Sequence, residues 1–299
     1  MAVSMGPPKV RAVSALLVGL VALAAGGGRH VSHAEEDPEQ QCCTPAELAA
    51  FVAKQAAGSR RLCPTTDMQS DLGTLKVEAA QRISVVGSGS PSAAQPRFFG
   101  RFVLDDGSGA DVRLQRVTVR DRNASLLPGC LGSSAGVHCL GAAAWVGEPA
   151  TLAATDSTFS GLSSSDGGAI YVRGGTVLLE RVVFVNAHAD FSGGAIFAAL
   201  MPAPVTVRDS FFESNSAGRL GGAILAWNSS SFTVCNSSFV SNTAPGVDGD
   251  PGGPAIVRCA PGCTNETFLP TGNGDGVDIA CGPDAPARAA YSSRQRVVV

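Results

Sequence analysis

The sequence runs to 299 residues, long enough to bury a sizeable core, with 36 glycines and only 16% charged residues. Its formal charge of −3 comes from 22 basic and 25 acidic residues. A mildly acidic chain without a basic stripe has nothing to lay along a phosphate backbone, so nucleic acid is excluded as a partner.

Residues 1–34 read as a secretory signal peptide. Lys9 and Arg11 make its basic start, Val13 to Ala25 its apolar centre, and Ser32-His33-Ala34 a small-x-small cleavage site. The apolar centre falls short of the roughly 20 residues a membrane span needs, so cleavage is expected over an uncleaved anchor. Cleavage removes Lys9, Arg11 and Arg29 and no acid, which makes the mature chain more acidic.

Residues 35–72 carry one helical stretch, Pro45 to Ala57. Thr44 suits its N-cap, Pro45 its first turn and Gly58 its end. Leu48, Phe51 and Val52 fall on one side and are expected to cover an open end of the domain that follows.

From Gly73 to residue 258 the pattern changes to short, alternating, β-branched strands, among them Leu75-Lys76-Val77, Ile83 to Val86, Phe102 to Leu104 and Val112 to Val119. Between Asp156 and Ile256 the chain repeats itself. Each repeat has a phenylalanine (Phe159, Phe184, Phe212, Phe239), a polar run, and a glycine pair (Gly167-Gly168, Gly193-Gly194, Gly221-Gly222, Gly252-Gly253). Ala-Ile follows directly in three repeats, ending at Ile170, Ile196 and Ile224, and after Pro254 in the fourth, ending at Ile256. Gly141-Ala142-Ala143-Ala144 stands where an earlier Gly-Gly-Ala-Ile would be. Repeats of this length mark a solenoid, in which each repeat is one coil and equivalent residues lie about 4.8 Å apart. The phenylalanines should form one internal stack and the isoleucines another. One glycine of each pair should turn a corner at positive φ.

Pairing F-x-x-N with Gly-Gly-Ala-Ile resembles the repeat of chlamydial polymorphic outer-membrane proteins, a branch of the pectin-lyase-like right-handed parallel β-helices. Phe212 with Asn215 and Phe239 with Asn242 match its first half fully; Phe184 has Asn186 one position early, and Phe159 has Leu162 in place of the asparagine. The resemblance covers about a third of the chain. It implies an all-β, right-handed parallel β-helix and a surface passenger or adhesin, without an active site in the motif itself.

Three residues before Val119 and the four phenylalanines stand Arg116, Asp156, Arg181, Asp209 and Asn236. The alternating sign of this column would fix register, with Arg181 expected within reach of Asp156 or Asp209. Sequons at Asn123, Asn228, Asn236 and Asn265 are candidate glycosylation sites. Of nine cysteines, Cys130 with Cys139 and Cys259 with Cys263 bracket short loops and are disulfide candidates; Cys235, within a strand, reads as a buried free thiol. Residues 259–299 form a Cys-, Pro- and Gly-rich tail, expected to be partly disordered.

Catalytic chemistry was sought in the same residues. No polygalacturonase-like or epimerase-like signature is present, Asp105-Asp106 reads as a turn, and His188 reads as an exposed turn residue without a nucleophile beside it. Asn273 to Asp278 and Asp248 to Asp250 read as ordinary Asp-Gly turns rather than calcium loops. The sequence therefore predicts no catalytic, cofactor or metal residues. It predicts a secreted or surface-exposed β-helix of structural or adhesive role, contacting extracellular polysaccharide or a cell-surface protein. The alternative is a polysaccharide lyase, hydrolase or uronate epimerase of the same fold.

Overall fold

The structure is a computed structural model and describes residues 41–78, 81–88, 94–120, 140–199, 204–227, 232–247, 250–251 and 267–268. Its plan follows from one coil. Thr151–Thr155, Thr158–Ser160, Ser163–Asp166 and Ile170–Arg173 are strands in chain order, and Thr176–Glu180 then returns to lie beside the first. Each strand pairs in parallel with its equivalent one coil away: Leu152 with Val177, Phe159 with Phe184, Ile170 with Ile196, with one register shift between Ser164 and Asp166 in the pairing of Ser163–Asp166 with His188–Ser192. Repetition builds an eight-stranded sheet from Cys42–Cys43 to Phe232–Cys235 and a seven-stranded one from Arg97–Phe99 to Thr267–Phe268. A six-stranded sheet runs from Thr74–Val77 to Ile224–Trp227, and a three-stranded one holds Ser163–Asp166, His188–Ser192 and Ser216–Ala217. The fold is an all-β parallel β-solenoid.

Alternation of the strands sends every second side chain inward, and the same residue type recurs at the same place. Phe159, Phe184, Phe212 and Phe239 are fully buried, with successive ring centroids 4.8, 4.8 and 4.7 Å apart and planes within 8°. Ile170, Ile196 and Ile224 make a second buried column, continued by Ala144. Polar columns are also buried. Asn215 and Asn242 are both fully enclosed, with the Asn215 carboxamide donating to the Phe184 carbonyl (3.1 Å) and to Asn242 Oδ1 (2.8 Å). Ser157, Ser210 and Ser237 accept from the amides of Val117, Val182 and Ser210 in the coil before.

Three corners at positive φ recur from coil to coil and turn the chain. Gly141, Gly167, Gly193 and Gly221 sit at φ +61 to +67 before the six-stranded sheet. The second glycine of a pair answers a different constraint: a Cβ on Gly194 would lie 1.9 Å from the Gly222 carbonyl oxygen, and one on Gly168 2.0 Å from that of Gly194. The first glycine turns the chain, and the second lets adjacent coils close.

The helix α1, Pro45–Ala53, opens with a capping box in which Thr44 Oγ1 accepts from the Glu47 amide (3.3 Å) and Glu47 Oε2 from the Thr44 amide (2.7 Å). Leu48, Phe51 and Val52 are buried, and the helix packs on Gly58–Leu62 and Thr74–Val77. It ends before Gly58, because Gln55 takes the left-handed conformation and Gly58 opens a strand instead. That strand pairs with Gln81–Val86, and Cys42–Cys43 pairs with it in turn, so the ladder reaches further toward the N-terminus than Gly73.

Cys42 and Cys63 form a disulfide, and Cys43 is the free cysteine of the described residues. Cys235 is not a free thiol: it is disulfide-bonded. It is buried, as expected, although it pairs with Arg208 and so occupies an outward column. Cys130, Cys139, Cys259, Cys263, Gly252, Gly253, Ile256, the segments 1–34 and 269–299, and the Asp248 turn lie wholly or partly outside the described residues.

Phe212→Ala removes the middle of a continuous stack and should destabilise the protein by about 3–5 kcal/mol, read from chemical denaturation. Unchanged stability would mean the stack contributes nothing. Gly194→Val should abolish soluble expression or lower the melting temperature sharply, because its Cβ meets backbone rather than a movable side chain.

Candidate functional site

Since the interior is packed, any site must use the outward columns. The signed column lies on the corner after the eight-stranded sheet, where Arg116, Asp156, Arg181, Asp209 and Asn236 all have φ between +47 and +52. Asparagine and aspartate tolerate this conformation and arginine does so less readily, so each arginine here is held by partners. Arg181 grips Asp156 with Nε at 2.6 Å and Nη2 at 3.2 Å, and also contacts Glu180. Arg116 Nε donates to the Gly87 carbonyl (3.2 Å), and the Asn236 amide donates to Asp209. The Asp156 carboxyl is held below the usual carboxylate range, chiefly by hydrogen bonds from Arg181. A depressed carboxylate adds stability above its unfolded pKa and loses it as pH falls through the lower folded value. Asp156→Asn should therefore lower the melting temperature at neutral pH, and the gap from wild type should close on the acid side of the ordinary aspartate value. A gap independent of pH would show that the pair does not carry the effect.

A second cluster lies on the three-stranded sheet. His188 is in a strand rather than a turn, and register sets it beside Ser216: His188 Nδ1 is 2.9 Å from Ser216 Oγ and Nε2 is 3.5 Å from Asp190 Oδ1. A hydroxyl does stand next to this histidine, contrary to the sequence reading, because 28 residues separate them and only the coil brings them together. The grouping has the side chains of a Ser–His–Asp triad without its surroundings. His188 and Asp190 are 48% and 68% exposed, so no low-dielectric pocket strengthens the contacts. The nearby amides are already used: those of His188, Ser216, Ala217, Gly218 and Arg219 donate to Leu162, Ala187, Thr243, Ala189 and Phe191. None of these five can serve an oxyanion.

Trp145, Tyr171 and Phe197 form an outward column on the six-stranded sheet that sequence reading missed, continued by Val103 and Leu225. The signal was present as the residue directly after Gly-Ala-Ala-Ala or Gly-Gly-Ala-Ile. All three aromatics are half-buried, and Tyr171 and Phe197 stack 5.2 Å apart at 12°. Stacked on each other, the two rings each cover one face of the other. Burial, with the charge of Asp166, raises the Tyr171 phenol above its ordinary value.

Of the sequons, Asn236 is exposed on the signed corner, while Asn123, Asn228 and Asn265 lie outside the described residues. Among the described residues no group of three or more His, Cys, Asp or Glu could hold a metal ion, and no helix is long and apolar enough to cross a membrane. Comparison with family models, curated proteins and solved structures returned no match to this chain.

Proposed function

We propose that this protein is a secreted or cell-surface β-helix, right-handed, with α1 as its N-terminal cap, working as a non-catalytic structural or adhesive scaffold. One observation carries the non-catalytic part. At the grouping of Ser216, His188 and Asp190 the histidine and the aspartate are solvent-exposed, Ser216 is half-buried, and the surrounding amides are committed to the coil ladder. A hydrolase built there would lack transition-state stabilisation. The repeat's resemblance to polymorphic outer-membrane proteins and the signal-like residues 1–34 support a surface or extracellular location. Glycan or protein contact would then fall on the outward columns.

Assays for reducing ends, unsaturated uronates and ester hydrolysis on pectin, alginate and related polymers should give background rates, unchanged in Ser216→Ala and His188→Ala. Turnover lost in either variant would overturn the non-catalytic reading in favour of an esterase-type enzyme, the one alternative that a contact in the fold favours.

A further inference from the structure

The eight-stranded sheet carries a second pattern near its N-terminal end. Cross-strand register places Ser59, Arg82 and Asp111 in one outward column and Arg61, Ser84 and Arg113 in the next. The three arginines alternate diagonally around Ser84. Arg61 and Arg113 are one strand to either side of it, about 4.8 Å each at the backbone, and Arg82 is two residues away along its own strand, about 6.6 Å. These six residues line a groove of about 210 Å³ floored by Ile83 and edged by Arg60. Arg60 is committed elsewhere: it lies over the Phe51 ring at 4.6 Å and donates to the Ser59 carbonyl.

Two features set the groove apart from the corner column, where opposite charges alternate. First, the guanidinium groups of Arg61, Arg82 and Arg113 share the groove with one carboxylate, a local charge of +2 on a chain whose formal charge is −3. That carboxylate, Asp111, accepts from Nε (3.3 Å) and Nη2 (2.8 Å) of Arg113 and so orients it. Among the described residues Arg82 makes no ion pair. Second, the Nε–H of Arg61 is buried without a hydrogen-bond acceptor. Like charges on neighbouring strands repel, and Asp111 is the one carboxylate that lines the groove.

The geometry points to an oxyanion-binding site, with Arg61, Arg82 and Arg113 as the cationic cradle and the Ser84 hydroxyl as an additional donor. Guanidinium forks match the paired oxygens of a sulfate ester or a carboxylate better than an isolated halide. The ligand class is an oxyanion, either free in solution or carried on an acidic polysaccharide. The second source rests on the adhesive reading above; the site itself does not.

Titration calorimetry of the full chain at about 0.15 M salt, where long-range attraction is screened, tests the site. The probes are inorganic sulfate, a chondroitin sulfate oligosaccharide, an oligogalacturonate and neutral dextran. Saturable binding of at least one anionic probe is expected, weakened tenfold or more in Arg82→Gln and in Arg113→Gln, with dextran silent. Both side chains are exposed, so both variants should melt as wild type does. A tenfold or greater gain for one oligosaccharide over sulfate assigns the site to a polymer; no gain assigns it to a small anion and sinks the polysaccharide arm alone. No anion binding, or equal binding in wild type and both variants, overturns the site.

Discussion

One-to-one pairing of each coil with the next governs the molecule. Strands about 4.8 Å apart, in register save for one shift in the three-stranded sheet, set each inward position on its equivalent. Inside, that is favourable only where the stacked residues suit each other, which explains columns of phenylalanine, isoleucine, serine and asparagine. Register in turn depends on three left-handed corners that recur from coil to coil. At each corner the amide donates to a carbonyl of the following coil, as Asp156 does to Glu180, Asn186 to Glu213 and Gly167 to Ser192. A coil of different path could not keep these bonds, so the corners hold the path while the inward columns supply the burial.

How much of this was legible in the sequence depended on how a column repeats itself. Phenylalanine and the glycine pair recur unchanged, so they could be aligned by eye. The serine column could not, because valine interrupts it in the order Val117, Ser157, Val182, Ser210, Ser237. The corner formed by Gly161, Asn186, Ser214 and Ser241 also escaped notice, since a left-handed site accepts several small residues. It explains why Asn186 came one position early: it occupies that corner, and Ala187 takes the inward place that Asn215 and Asn242 fill in later coils. Cys235 was misread for a related reason. Its strand and its burial were legible, but it stands in the outward column with Arg208 and is disulfide-bonded rather than free.

Surface chemistry was the least legible part. His188 and Ser216, or Arg61, Ser84 and Arg113, are neighbours only through register, with 20 to 30 residues of chain between each pair. No local spacing records them. On such a scaffold the outward columns are free to vary while the coil persists. One corner has settled on charges that cancel; a face two sheet columns wide has gathered charges that do not.

The buried polar columns also have a direction. Side-chain oxygens of Ser157, Ser210, Asn215, Ser237 and Asn242 accept amides of Val117, Val182, Ala187, Ser210 and Asn215, always in the coil before their own. During synthesis from the N-terminus, the coils holding Val117, Val182 and Ser210 therefore emerge with donors that a side chain of the next coil answers later. The ladder closes behind the growing chain, one coil late, and an interrupted chain would end on a layer of unanswered amides.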